Sequence, residues 1–292
     1  MAETKNLAEW VNSMPELDPA VADKNDPSKK NRTDEFKLTG PKWGEAQKAY
    51  DAILLGGPEN IMSLIGMLSE GNDPARYKPR YALHGLALYV CRAGKEKERA
   101  MLVGTLASQL GGDRAKWSQA ILVRELEWAG NKDAVAAVGK LMLDDEIGDD
   151  AVRTIVAIRD GAAEQLRAAL GNAKGRRRLA IVQALGVIGD AGSVAALKAA
   201  AGDGDAEVRQ AAVWGLANMG EASAVDLLIK ASDAVGWERI KATKACLVAA
   251  EKLTAAGKKA EAGRIYKHLA ETRTDKSERY VKEAAEKAMA PK

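Results

Sequence analysis

The segment RLAIVQALGVIGDAGSVAALKAA, starting at Arg178, recurs 31 residues later as RQAAVWGLANMGEASAVDLLIKA from Arg209. Arg, Ala, Val, Leu, Gly and Val fall in register between the two copies. A third copy starts 30 residues further on, at Arg239, in RIKATKACLVAAEKL. Looser copies run through RYALHGLALYVCRAG, WSQAILVRELEWAG and DDAVRTIVAIRDG. Each copy is long enough for two short helices, and one such pair cannot bury its apolar face alone. Stacked neighbours can, so a repeat of this length predicts an all-α solenoid.

Proline and glycine mark the boundaries. Seven of the eight prolines lie in the first 79 residues and the eighth is Pro291, so Arg80 to Ala290 is free of the residue that most disrupts helix interiors. Glycines at 94, 130, 148, 171, 189, 220 and 257 are the expected helix ends. Residues 1–41 are polar, charged and interrupted by proline, which predicts an extended or disordered leader. One short apolar stripe within it, Leu7, Trp10, Val11 and Met14, has helical spacing. Trp10 is the leader residue best suited to fill a groove on the body. Residues 42–290 read as a single solenoid domain. It starts with a helix over about 43–54, followed by seven helix pairs. The second helices of those pairs fall near 77–92, 115–129, 149–158, 175–188, 206–219, 237–256 and 276–290.

The repeats resemble HEAT repeats of the armadillo-like class, particularly the short kind found in phycobilisome-lyase-like HEAT proteins. The resemblance is sharpest over about 172–245, where Asp203 and Asp233 each stand six residues before Arg209 and Arg239. It implies a right-handed αα superhelix in which those Asp and Arg residues link neighbouring repeats and the second helices line the concave face. The last part, AAEKLTAAGKKAEAGRIYKHLAE, looks more like a tetratricopeptide helix pair, which stacks in the same way.

Several function classes lack the residues they need. Cys91 and Cys246 are far apart with no CxxC, and both read as small buried hydrophobes. Only His84 and His268 are present, with no cluster at metal-ligand spacing, and no GxSxG, phosphate loop or GxGxxG occurs. No metal and no cofactor is expected, and no catalytic residues are assigned. The acidic run from Asp144 to Asp150 reads as a solvated loop that caps the next helix. A balance of 44 basic to 41 acidic residues does not by itself point to nucleic acid or membrane. No apolar run is long enough to span a bilayer, and the first residues lack a signal-peptide core, so the expected location is cytoplasmic. A secreted chain without its signal peptide would read the same way.

The remaining candidate is the inner wall. Aligning the second helices on Leu86, Leu126, Leu185, Leu216 and Cys246 gives a row two residues earlier of His84, Arg124, Gln183, Trp214 and Lys244. Apart from Trp214 the row is polar or charged, so the register predicts that Trp214 faces outward. The row two residues later contains Leu88, Trp128, Val187, Asn218 and Val248. His84, Arg124, Trp128, Gln183, Trp214, Asn218 and Lys244 are therefore the candidate groove residues, because exposed aromatics beside cations are typical of binding hot spots. Trp117 and Trp237, near helix starts, read as packing residues. Lys174, Arg176, Arg177 and Arg178 crowd the start of a helix, where the dipole disfavours cations, and form a candidate anion site.

The function expected from these features is a non-enzymatic scaffold that binds a protein or peptide in its groove. A second reading is nucleic-acid binding of the kind found in HEAT-like alkylpurine DNA glycosylases, which use concave Trp, Asp and Arg residues. A third, a tetrapyrrole lyase or chaperone-type subunit, follows from the short-repeat resemblance alone.

Overall fold

The computed structural model describes residues 6–14, 16–17, 38–39, 43–70 and 77–290. The expectation of an extended or disordered leader lies largely outside those residues. Where the leader is described, α1 (Leu7–Asn12) forms on the predicted apolar stripe, and Glu16–Leu17 (β1) pairs antiparallel with Leu38–Thr39 (β2). Asn6 caps α1: its side chain accepts from the Glu9 amide at 3.0 Å while the Glu9 carboxylate accepts from the Asn6 amide at 2.8 Å.

Among the described residues, α1 is followed by a single helix, α2 (Trp43–Leu55), and seven helix pairs. The pairs are α3 (Gly57–Gly66) with α4 (Tyr77–Tyr89), α5 (Glu96–Ser108) with α6 (Lys116–Ala129), and α7 (Lys132–Gly139) with α8 (Gly148–Ile158). Then follow α9 (Ala162–Leu170) with α10 (Gly175–Ile188), α11 (Val194–Ala200) with α12 (Ala206–Met219), α13 (Val225–Ser232) with α14 (Gly236–Ala255), and α15 (Lys259–Thr272) with α16 (Arg279–Met289). Every second helix lies within a few residues of its expected span. The chain divides into two compact units, residues 1–158 and 159–292.

Local chemistry sets the repeat ends. The Asp205 side chain caps α12 by accepting from the Glu207 amide at 2.8 Å, and Asn131 does the same for α7. Helices α10 and α12 end on Gly189 (φ 68) and Gly220 (φ 62), left-handed positions that a side chain would strain. Gly148 departs from expectation and opens α8. The preceding turn is made by Asp144, whose carboxylate accepts from the Glu146 and Ile147 amides and pairs with Lys116. The first residue of the acidic run thus caps the turn that leads into α8.

In the first unit, α1 packs on α2, α3 and α4, burying Val11 and Met14. Trp10 is half-buried on that helix. The aligned row Leu86, Leu126, Leu185, Leu216 and Cys246 is fully buried, which fixes the outward rows on either side of it.

Arginines link the repeats of the second unit. Arg178 pairs with Asp203 at 2.6 Å, Arg209 grips Glu238 through two bonds of 2.7 and 3.1 Å, and Arg239 grips Glu278 through two bonds of 2.8 Å. Arg209 also donates to the backbone carbonyls of Asp203 and Gly204. The four residues singled out by resemblance take part in these links, with one adjustment. Each arginine reaches forward to an acid of the next repeat, while the Asp203 carboxylate receives Arg178 from the previous one and Asp233 receives His268 at 2.8 Å. Arg178 is thus part of a repeat-to-repeat link. Lys174 stays exposed, and Arg176 and Arg177 flank the link at the start of α10.

Candidate functional site

The second helices α10, α12 and α14 of the second unit enclose an open groove of about 1090 Å³. Gln183, Trp214, Asn218 and Lys244 line it, so four of the seven candidate groove residues come together there. Helical spacing explains how. Gln183 and Val187 are one turn apart on α10, Trp214 and Asn218 one turn apart on α12, and Lys241 and Lys244 share a face of α14. Trp214 is 47% exposed, as the register predicts, and Val187 is 62% exposed. The Asn218 amide donates to the Trp214 carbonyl at 3.0 Å.

The floor of this groove depends on two glycines. A Cβ on Gly186 would lie 2.8 Å from the Gly215 Cα, and one on Gly215 would lie 2.9 Å from the Gly186 Cα. Without side chains at these positions, α10 and α12 approach backbone to backbone. The rings and methyls of Trp214, Val187 and Met219 then stand as walls above a shallow base. The charged groups lining the groove are Glu207, Lys241 and Lys244, and Glu207 lies 3.8 Å from Lys241. Trp237, expected to pack, is 43% exposed, and the Lys241 ammonium sits 4.9 Å above its ring. Its position in the first turn of α14 leaves it on the outward face, whereas Trp117 is half-buried as expected.

The other three candidates belong to the first unit. His84 and Trp128 meet edge to face, with ring centroids 6.0 Å apart, and Trp128 is 59% exposed. Arg124 points outward, with its Nε 3.8 Å from the Asp150 carboxylate. Sequence reasoning missed Glu125, which is buried beside them and bonds the His84 Nδ1 at 2.9 Å. A carboxylate only accepts, so Nδ1 carries the proton. The signal was available, since Glu125 is a charged residue immediately before the fully buried Leu126. Cys91, expected to be buried, is exposed next to this pair, and its thiol donates to the Ala87 and Trp128 carbonyls. Cys246 is buried as expected, and burial pushes its thiol up to about 12, which leaves it unreactive.

The hydrogen bond to Glu125, opposed by partial burial, raises the His84 pKa above its ordinary value. The charged pair therefore adds stability that is complete below the unfolded histidine value of about 6.5 and is lost as pH rises through the folded value. Relative to a His84→Asn chain, the first unit's melting temperature should fall as pH rises from about 6.5 through the raised folded value. Parallel melting curves for the two chains across that range would contradict this linkage.

Residues 163–246 match the family model of HEAT repeats. The match runs from within α9 into α14 and includes every described residue that lines the groove. The chain is also similar to the complex of CpcE and CpcF of phycocyanin lyase from Nostoc sp. PCC7120. That similarity has 15% identity, covers 99% of this chain and 96% of that chain, and has a TM-score of 0.32. At that identity and score it says nothing about activity. None of the curated proteins compared with the chain matches it. Among the described residues, no helix is long and apolar enough to cross a membrane, and no group of His, Cys, Asp or Glu is placed to hold a metal ion.

Proposed function

We propose that the second unit is a HEAT-repeat binding module that takes a segment of another protein into the groove of α10, α12 and α14. The observation that carries this reading is Trp214, half-exposed in the wall of a large groove with no covering segment among the described residues. Exposed tryptophan in a concave, partly apolar setting is a strong anchor for a partner side chain. The charges favour an acidic segment. Residues 159–292 hold 23 Lys and Arg against 17 Asp and Glu. At the groove itself Lys241 and Lys244 face a single acid, Glu207. The partner would place an apolar side chain against Trp214 and Val187 and carboxylates towards the lysines.

Affinity capture followed by quantitative binding tests this reading. Trp214→Ala should weaken the captured partner's binding by about 2 kcal/mol, roughly 30-fold. Lys244→Glu should lower the association rate and its salt dependence. Equal binding by folded wild-type and Trp214→Ala proteins would refute the groove, and capture of duplex DNA in place of protein would replace the partner class.

A further inference from the structure

The first unit has a second, smaller cavity. It is about 200 Å³ in volume and is lined by Tyr50, Tyr81, His84, Gly85, Leu88 and Arg92. Tyr50 comes from α2 and most of the other lining residues from α4. Gly85 makes the close fit possible, because a Cβ there would lie 1.9 Å from the Tyr50 hydroxyl. The phenol end of Tyr50 thus rests against bare backbone at the cavity wall. The ring of Tyr50 is buried and tilted against Tyr89 at 5.5 Å, and the Arg92 guanidinium lies 5.5 Å over the Tyr89 ring. This aromatic stack fixes two of the lining groups.

The polar lining has one chemical bias. Two phenols, a guanidinium and, when His84 is protonated, its second ring nitrogen can donate hydrogen bonds, and among the described residues no carboxylate lines the cavity. The nearby acid, Glu125, engages His84 through Nδ1 and so orients the ring with Nε2 available to a ligand. Trp128 closes on the same imidazole edge to face. The apolar surface comes from Leu88 and the faces of the tyrosines. The volume is below that of drug-sized ligand sites, so the occupant is small.

We propose that this cavity binds a small carboxylate with a planar apolar body. The carboxylate would meet the Tyr50 hydroxyl, His84 Nε2 and Arg92, and the ring would lie between Leu88 and Tyr81. Two protonation preferences agree with this arrangement. Burial and the neighbouring Tyr81 push the Tyr50 phenol up to about 12, so it remains a donor at neutral pH. Glu125 raises the His84 pKa, extending the range over which both ring nitrogens donate. The described residues that line the site all belong to the first unit.

The protein contains only two histidines, so proton NMR of the imidazole signals reads the site directly. His268→Asn assigns the pair, and sodium benzoate is the probe. Benzoate should shift the His84 signals saturably in the millimolar range and raise that residue's titration midpoint, leaving His268 unmoved. Tyr50→Phe should weaken binding about tenfold. Gly85→Ala should abolish it by placing a methyl where the hydroxyl sits. Benzyl alcohol, neutral and similar in size, should bind at least about tenfold more weakly than benzoate. His84 signals unmoved up to about 50 mM benzoate would overturn the proposal. It would equally be overturned by equal binding of benzyl alcohol, or by a folded Tyr50→Phe chain that binds benzoate unchanged.

Discussion

Arg273→Ala should destabilise the second unit by about 3–5 kcal/mol, the largest loss expected from any single side chain in the molecule. The Arg273 side chain follows α15 and is completely buried. Its Nη2 donates to the Ser232 carbonyl at 2.6 Å, its Nη1 to the Thr272 hydroxyl at 2.7 Å and its Nε to the Thr243 hydroxyl at 3.3 Å. Glu278 at 3.5 Å and Asp233 at 3.7 Å supply the countercharge. Burial and the nearby Arg239 lower its pKa from a very high starting value, and guanidinium stays charged under ordinary conditions. Removing the side chain leaves a buried carbonyl without its partner, opens a cavity between α13, α14 and α15, and takes one of two cations away from Glu278. Arg273→Met restores volume without the hydrogen bonds, so its loss should fall between those of alanine and the wild type. Urea unfolding followed by circular dichroism measures both variants. A loss below about 1 kcal/mol for alanine would mean that water takes over the guanidinium's bonds and that the C-terminal pair is not held by this residue.

Arg273 also shows why some of the structure could not be read from the sequence. It occurs in ETRTDKSER, a stretch whose composition indicates an exposed loop. Its burial comes from Ser232 and Thr243, 41 and 30 residues away, and no local pattern encodes that distance. The repeat register behaves differently. Leu185 and Leu216 occupy equivalent positions because each helix turns its apolar stripe into the same stack. The residues two places earlier must therefore point away, so the outward position of Trp214 follows from counting along the helix. Counting fails where neighbouring repeats differ. Glu125 has no charged counterpart at the position before Leu185 or Leu216, where alanine and glycine stand, and only contact with His84 on another helix gives it a role. Similarly, the clustering of Lys174, Arg176, Arg177 and Arg178 was visible, but the engagement of Arg178 by Asp203 depends on the next repeat's turn. The four groove residues of the second unit were legible in two rows, Gln183, Trp214 and Lys244 in one and Asn218 in the other, while the glycine contact beneath them was not.

That glycine contact leads to the second large expected effect. Gly186→Val should cost about 3 kcal/mol and change the groove itself. Glycine inside a helix ordinarily weakens it relative to alanine by about 0.5–1 kcal/mol, so a bare propensity argument predicts that substitution stabilises. The packing here opposes that gain. The atom facing the new Cβ is the Gly215 Cα, which belongs to a backbone and cannot rotate aside. Accommodation requires α10 and α12 to separate, which loosens Leu185 and Leu216 on the buried side and alters the spacing of Val187 and Trp214 on the open side. Gly263, inside α15 in the same unit, provides the internal contrast, because a Cβ there meets nothing within 4 Å. Gly263→Ala should therefore stabilise by up to about 1 kcal/mol. Opposite signs in chemical denaturation would separate the two effects within one unit. The same Gly186→Val chain should also bind the groove partner less well than its residual folded fraction accounts for, because the anchor tryptophan has moved relative to its opposite wall. Full-strength binding by the folded fraction would show that the spacing of α10 and α12 does not control recognition, even where it controls stability.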